Sequence, residues 1–180
     1  MRNSSLHICA LIPTYNNANT ILDVVRRTRK QLKDIIVVVD GCTDNTLDLL
    51  QELEFPVTIV SYPKNKGKGH ALKQGFRKAI ELGFEYALTI DSDGQHYPED
   101  IPLLIDAIKK HPGSMIIGSR KLTSENVPGK NKFANKFSNF WFRLQTHINL
   151  PDTQTGFRIY PLNKLYGLSL LTSRYEAELL

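Results

Sequence analysis

The chain has the length and composition of one ordinary globular domain. Its 180 residues are 41% hydrophobic, enough for one sizeable core, so we expect a single domain over residues 1–180. With 23 Lys and Arg against 18 Asp and Glu, the net charge of +5 suits phosphate-bearing ligands or an anionic membrane surface, but it is too small to indicate nucleic-acid binding.

Strand and helix patterns alternate from the amino terminus to about residue 118. The first residues lack the apolar run of an export signal, and the two cysteines show no metal-ligand spacing, which favours a cytoplasmic location. Short apolar runs rich in β-branched residues predict buried parallel strands at 6–12, 35–39, 57–61, 86–90 and 115–118. Apolar residues at helical spacing predict helices across 21–32, 72–80 and 101–108. This order predicts a doubly wound, mostly parallel α/β sheet with helices on both faces.

The loops after the first two predicted strands carry candidate nucleotide-binding residues. Ligands of such sheets bind at the carboxyl ends of the strands, so we expect these loops at the site. Thr14, Tyr15 and Asn16 offer a hydroxyl, an aromatic face and an amide, which suit a nucleobase and a ribose. Pro13 and Tyr15 can equally form a structural corner. Asp40, at the end of the second strand, can accept a hydrogen bond from a base N–H.

A glycine-rich basic loop, NKGKG, follows the third predicted strand. Gly67 and Gly69 permit close backbone approach, while Lys66 and Lys68 supply positive charge that suits a diphosphate. A solvated turn that opens a helix is the alternative. The loop does not match the P-loop pattern. It also lacks the G-x-G-x-x-G pattern, and this second absence argues against a dinucleotide oxidoreductase.

The fourth predicted strand ends in Asp91, Ser92 and Asp93. Two carboxylates two positions apart at a strand end can face the same way, and oxygen ligands favour Mg²⁺ or Mn²⁺. A divalent ion held there would bridge diphosphate oxygens and neutralise the charge that builds on the leaving group. The same residues can instead form only a turn after a strand. The adjacent His96 is either a neighbour of the metal ligands or a surface residue.

Four segments in this order resemble the family 2 glycosyltransferases that have a GT-A fold. They are PTYNNANTI (13–21), VVVDGCTDNT (37–46), NKGKGHALKQGF (65–76) and DSDGQH (91–96). The resemblance implies a Rossmann-like GT-A sheet, Mg²⁺ or Mn²⁺ as the cofactor, and a nucleoside-diphosphate sugar bound by the residues Pro13, Thr14, Tyr15, Asn16, Asp40, Lys66, Gly67, Lys68, Asp91 and Ser92. The chain departs from the family at Val39, where relatives usually carry another Asp.

Two later segments are similar to those of enzymes that transfer sugars to polyprenyl phosphates, namely GSRKL (118–122) and LPDTQTGFRIY (150–160). Gln95, which follows the D-x-D motif of Asp91 and Asp93 in this chain, matches a metal ligand of those enzymes. Arg120 matches an arginine that contacts phosphate in them. Arg158 is either a substrate-binding residue or the partner of a core carboxylate. Asp152 is the candidate general base if the acceptor is a hydroxyl, whereas a phosphate acceptor is already ionised and needs no base.

The predicted domain divides at residue 118 into a nucleotide-sugar-binding half, 1–118, and an acceptor-side half, 119–180. An apolar stripe in the second half is either core or an interfacial helix in peripheral contact with a membrane; it comprises Phe133, Phe137, Trp141, Leu144 and Ile148. The final residues, SRYEAELL, end without a helix cap, so we expect the natural chain to continue.

The resemblance implies an inverting glycosyltransferase that moves a sugar from a nucleoside-diphosphate sugar to a polyprenyl phosphate at the cytoplasmic face of the membrane. A saccharide acceptor in cell-surface polysaccharide synthesis is the alternative within the family. Outside the family, a nucleotidyltransferase would also use an α/β sheet, a basic glycine loop and paired carboxylates. An inactive module would bind the nucleotide sugar without turnover.

Overall fold

One mixed sheet forms the centre of the computed structural model, which describes residues 6–118 and 155–165. Its strands are β1 (Ile8–Thr14), β2 (Ile35–Asp40), β3 (Thr58–Tyr62), β4 (Tyr86–Thr89), β5 (Ile116–Ile117) and β6 (Arg158–Pro161). Its helices are α1 (Ile21–Gln31), α2 (Thr46–Gln51), α3 (Lys68–Glu81), a 3-10 helix (Pro98–Asp100), α4 (Ile101–Lys110) and α5 (Leu162–Leu165). The strand order is β3-β2-β1-β4-β6-β5.

Strands β1 to β4 run parallel, as their apolar sequences predict. β1 lies between β2 and β4, and its Leu11 pairs with Ile36 on one side and Thr89 on the other. Every residue of β1 and β2 is buried, which explains their nearly continuous apolar runs. β3 is an edge strand and is only partly buried, so the prediction that it is fully buried is wrong.

The central strand β1 accommodates Pro13 because a backbone N–H at this position would have no acceptor in the β1–β4 ladder. Backbone N–H groups of a strand alternate between its two neighbours, and the N–H of Ala10 donates towards β2. The nitrogen of Pro13 therefore faces β4, whose ladder with β1 ends at the pair of Leu11 and Thr89. Pro13 lies beyond that end, where a proline costs no ladder hydrogen bond.

The sheet beyond β4 differs from the prediction. β6 lies between β4 and β5 and pairs antiparallel with both. The strand predicted at 115–118 forms as the two-residue β5, and it runs in the same direction as β1 to β4 because it is antiparallel to β6. The prediction is wrong in burial and pairing, since both residues are only partly buried and the neighbour of β5 is the antiparallel β6. β6 escaped prediction because its sequence, RIYP, includes a charged residue and a proline, although all four residues are buried.

Helices cover both faces of the sheet, which confirms the predicted doubly wound α/β class. α1 and α4 pack on the face that includes Ile12 and Val37, and α3 packs on the face that includes Leu11 and Val38. Gly75 allows α3 to approach β1, since a Cβ there would lie 2.2 Å from Leu11 Cδ1. Within residues 6–118 and 155–165, none of the helices has the length and apolar content needed to cross a bilayer.

Candidate active site

A cleft of about 920 Å³ opens at the carboxyl ends of β1, β2 and β4. Its volume lies in the range of small-molecule sites. Ten of the predicted site residues line it: Pro13, Thr14, Tyr15, Asp40, Lys66, Gly67, Lys68, Asp91, Ser92 and Asp93. The lining also includes four residues that the sequence analysis did not single out as site residues, namely Asn17, Asn65, His70 and Ala71. The strand-end loops thus bring the predicted nucleotide and metal residues to one place.

Two asparagines connect the loop after β1 to its neighbours. Asn16 Oδ1 accepts from the Thr43 N–H at 2.8 Å, and Asn16 Nδ2 donates to Thr43 Oγ1 at 3.1 Å. Asn16 does not line the cleft, so its role in binding a nucleobase stays a prediction. Asn17 Nδ2 donates to Ser92 Oγ at 2.9 Å, and Thr20 Oγ1 donates to the Ser92 carbonyl at 2.6 Å. These bonds fix the loop after β1 against the loop after β4.

Asp40 holds the glycine-rich loop by its backbone. The carboxylate is buried, and its two oxygens accept from the N–H groups of Lys66 at 2.8 Å and Gly67 at 2.9 Å. Gly67 has φ 90° and ψ 160°, a conformation essentially restricted to glycine. Gly41 allows the loop after β2 to contact the backbone of the glycine-rich loop, since a Cβ there would lie 2.2 Å from Asn65 N. Asp40 therefore positions the loop, and its contact with a base N–H stays a prediction.

Three residues of the cleft lining, Lys66, His70 and Thr14, offer groups for an anionic and polar ligand. Lys66 Nζ lies 5.7 Å from the ring centre of Tyr62, and the ring of His70 meets the same tyrosine edge-on at 5.3 Å. Burial, together with the charge of Lys66, lowers the pKa of His70, which favours its neutral form. Thr14 Oγ1 is buried and has no hydrogen-bond partner within the described part of the chain, so a bound ligand can supply one.

Asp91 contacts two basic side chains in the cleft. Its Oδ1 lies 2.8 Å from Lys68 Nζ, and its Oδ2 lies 3.5 Å from His96 Nε2. Burial alone would raise the pKa of Asp91, but the hydrogen bond from His96 and the charge of Lys68 outweigh it and lower this pKa to about 2. Asp91 is therefore ionised at every physiological pH.

The segment before β6 forms a wall against Asp91. A Cβ at Gly156 would lie 2.3 Å from Asp91 Oδ2, so only glycine fits beside this carboxylate. Thr89 Oγ1 donates to the Gly156 carbonyl at 2.7 Å, which fixes that approach. His96 is buried and stacks on Phe157 with ring centres 5.5 Å apart. Of the two sequence interpretations of His96, its burial contradicts the surface residue, and its contact with Asp91 agrees with a neighbour of the predicted metal ligands. Gly156 is a neighbour of Asp91 that the sequence analysis missed.

Asp93 and Gln95 complete the predicted metal group in different ways. Asp93 is exposed, lines the cleft and accepts from the Gln95 N–H at 2.9 Å. Gln95 does not line the cleft, so its role as a ligand stays a prediction. Within residues 6–118 and 155–165, no cluster of three or more His, Cys, Asp or Glu side chains can hold a metal. The donor set nevertheless fits Mg²⁺ or Mn²⁺, because such ions are commonly held by one or two carboxylates together with water and substrate phosphate.

The remaining predicted residues lie away from the cleft lining or outside the described residues. Arg158 is buried in β6, where its Nε donates to the Thr155 carbonyl at 2.8 Å and its Nη1 donates to Tyr160 Oη at 3.3 Å. Neither of these partners is a carboxylate, so both sequence interpretations of Arg158 stay predictions. Arg120 and Asp152 lie outside the described residues, as does the apolar stripe of the acceptor-side half.

Comparison with known sequences places this site in context. A family model described as glycosyl transferase family 2 matches residues 9–166. The chain is 35% identical to a UDP-N-acetylglucosamine–dolichyl-phosphate N-acetylglucosaminyltransferase of Methanococcus voltae, over 94% of this chain and 76% of that protein. It is 30% identical to an undecaprenyl-phosphate mannosyltransferase of Micrococcus luteus, over 92% of this chain and 70% of that protein.

Solved structures match the fold at lower sequence identity. Glucosyl-3-phosphoglycerate synthase from Mycobacterium tuberculosis, in complex with Mn²⁺, UDP-glucose and phosphoglyceric acid, has a TM-score of 0.71 at 18% identity. The match covers 92% of this chain and 60% of that one. S. aureus TarS 1–349 has a TM-score of 0.63 at 21% identity, over 88% of this chain and 48% of that one. The chain thus spans about half or slightly more of these solved proteins.

Proposed function

Because the chain belongs to glycosyl transferase family 2 and has the GT-A fold, we propose that it transfers a sugar from a nucleoside-diphosphate sugar to a polyprenyl phosphate, with inversion. The single observation that carries this proposal is the pairing of charges across the cleft. Lys66 and Lys68 follow β3, and Asp91 and Asp93 follow β4, so one cleft offers both cations for a diphosphate and carboxylates for a divalent ion.

The donor would bind along the ends of β1 and β2. Tyr15 is 46% exposed at the cleft and offers a ring face for a base, while the Thr14 hydroxyl has no partner among the described residues and can bond the nucleoside. Asp40 fixes the backbone of the glycine-rich loop, so Lys66 and Lys68 reach the diphosphate from an ordered support. Once the donor is bound, both ammonium groups would stabilise the negative charge that develops on the leaving diphosphate.

Asp91, Asp93 and Gln95 are the residues that would hold Mg²⁺ or Mn²⁺. When bound, the ion would neutralise charge on the leaving nucleoside diphosphate. Gly156, His96 and the strand-end position of Asp91 orient its carboxylate and exclude water from one side of it. The mycobacterial structural neighbour is a complex with Mn²⁺ and UDP-glucose, which supports this assignment.

The acceptor class rests on the relatives and on segments outside the described residues. The relatives from Methanococcus voltae and Micrococcus luteus are named for dolichyl phosphate and undecaprenyl phosphate. A phosphate acceptor is already ionised, so the reaction would need Arg120 to bind the phosphate and would not need Asp152 as a base. Such an acceptor resides in a membrane, and we propose that the protein works at the cytoplasmic membrane face.

Donor chemistry can be tested with a panel of nucleotide sugars and Mn²⁺. A ligand that binds only the folded state raises the melting temperature by mass action, so the natural donor should give the largest increase. Asp93→Ala should lose the Mn²⁺-dependent part of this increase and keep the fold, because Asp93 is an exposed loop residue. Unchanged Mn²⁺-dependent binding by this variant contradicts the assigned metal site. Release of pyrophosphate in place of nucleoside diphosphate would indicate a nucleotidyltransferase.

The acceptor is tested separately with the full-length protein, its preferred donor and metal. We expect radiolabelled sugar to be transferred to a polyprenyl phosphate and not to free saccharides. Transfer to saccharide hydroxyls alone would refute the lipid acceptor and would make Asp152 the candidate base. Donor binding with no transfer to either acceptor would favour the inactive binding module.

A further inference from the structure

We propose that Lys68 is a stand-in cation for the metal at Asp91, and that its movement from this carboxylate to the donor diphosphate makes metal binding depend on nucleotide binding. The inference rests on the proposed function, and it assigns to Lys68 a role in coupling that is separate from simple attraction of phosphate. Lys68 Nζ lies 2.8 Å from Asp91 Oδ1, in direct contact with a proposed metal ligand.

The backbone of Lys68 is anchored, and its side chain lines the cleft where the donor would bind. Lys68 is the first residue of α3, and it directly follows Gly67, whose N–H is bonded to Asp40. The lysine side chain has a flexible four-carbon stem, and its ammonium is a compact charge that changes partners without breaking a planar fork of hydrogen bonds. The side chain is 26% exposed and lines the cleft, so its ammonium can reach a ligand there.

Asp91 is held in place whichever cation it binds. His96 contacts its second oxygen from a buried position, and Gly156 closes the space behind the carboxylate. A carboxylate fixed in this way presents the same site to an ammonium and to a divalent ion. The two cations repel each other at such short range, so a metal at Asp91 requires that the Lys68 ammonium leave.

A nucleoside diphosphate changes this competition in two ways. Its phosphate oxygens give Lys68 an alternative anionic partner inside the same cleft, and they supply the metal with ligands that the described side chains lack. Nucleotide binding therefore frees Asp91 at the moment when a metal is needed. Because coupling between two ligands is reciprocal, the metal must strengthen nucleotide binding by the same factor.

The test measures Mn²⁺ binding directly, by the electron paramagnetic resonance signal of the free ion, with and without UDP. Wild type should bind Mn²⁺ weakly alone and at least tenfold more tightly with UDP. Lys68→Met should bind Mn²⁺ alone at least tenfold more tightly than wild type. UDP still supplies ligands to the metal in this variant, so it should tighten Mn²⁺ binding further, but by a smaller factor than in wild type. Lys68→Gln is a second variant with a polar side chain, in case the methionine impairs folding, and circular dichroism checks both.

Matched variants separate this role from a general loss of positive charge. Lys73→Met removes the same charge from an exposed position of α3 and should leave Mn²⁺ affinity unchanged. Lys66→Met removes a cleft cation from the other side of Gly67; it should weaken UDP binding without tightening Mn²⁺ binding. If both Lys68 variants bind Mn²⁺ alone as weakly as wild type does, or more weakly, the proposal is overturned. If wild type with UDP binds no Mn²⁺ at all, the proposed metal-dependent function itself fails, and with it the proposal.

Discussion

Replacement of Asp91 by asparagine tests the net electrostatic stabilisation that this carboxylate gains from His96 and Lys68, and the carboxylate of Asp93 provides a control. The pKa of Asp91 falls from its ordinary 3.8 to about 2 in the folded protein. Each pKa unit corresponds to about 1.4 kcal/mol, so Asp91→Asn should reduce the free energy of unfolding by about 2 kcal/mol at pH 7 in EDTA. Asp93→Asn, at an exposed position two residues later, should change it by less than about 0.5 kcal/mol.

The pH dependence gives this prediction a defined sign. The folded Asp91 carboxylate binds a proton less tightly than the unfolded one, so its stabilising effect is complete above about pH 4 and disappears as the pH falls towards about 2. Urea unfolding of wild type and both variants, at several pH values from 7 down to 3, measures the difference. Equal losses for Asp91→Asn and Asp93→Asn, or a difference that does not shrink below pH 4, would refute the electrostatic explanation.

Three further substitutions test close contacts of the described residues. Gly156→Ala places a methyl group on the Asp91 carboxylate and should weaken Mn²⁺-dependent UDP binding at least tenfold by calorimetry, with the far-ultraviolet circular dichroism retained; unchanged affinity would mean that the wall is not rigid. Gly75→Ala should destabilise by about 1–3 kcal/mol in urea despite the better helix propensity of alanine, because the new methyl meets Leu11, and a stabilised variant would contradict this. Asp40→Asn should lower the free energy of unfolding by about 2 kcal/mol, because the new amide NH₂ would face a backbone N–H donor. The same variant should weaken UDP binding. If neither the stability nor the UDP affinity changes, Asp40 does not position the loop.

The first four strands and their loops were predictable because their signals are local. A fully buried parallel strand appears in the sequence as a short apolar run, and β1, β2 and β4 have such runs. The candidate site residues Thr14, Asp40 and Asp91 lie at or just after the ends of these runs, so finding the strand ends also locates them. The doubly wound class follows from the alternation alone, and the family was recognisable from the order of the loops.

The other half of the candidate site depends on contacts between distant residues, which local patterns do not contain. β6 pairs with β4 across about 70 positions of sequence, and it brings Gly156 and Phe157 to Asp91 and His96. The available signal was a glycine before an aromatic residue in a buried segment, but its partner was not specified. The ion pair of Lys68 with Asp91 was not predicted either, because the sequence indicated a diphosphate as the partner of Lys68 and a metal ion as the partner of Asp91.

Because β6 lies between β4 and β5, this part of the sheet cannot pair until a later segment of the chain has been synthesised. Ribosomes add roughly 5–20 residues per second, so residues 119–161 follow Gly118 after roughly 2–9 s. Throughout that interval the edge of β4 that faces away from β1 lacks its partner β6. An unpaired apolar strand edge is a template for pairing with another nascent chain. The strand that leads to Asp91 thus gains its second neighbour late in synthesis, and the soluble yield of this protein should fall when translation slows between Gly118 and Pro161.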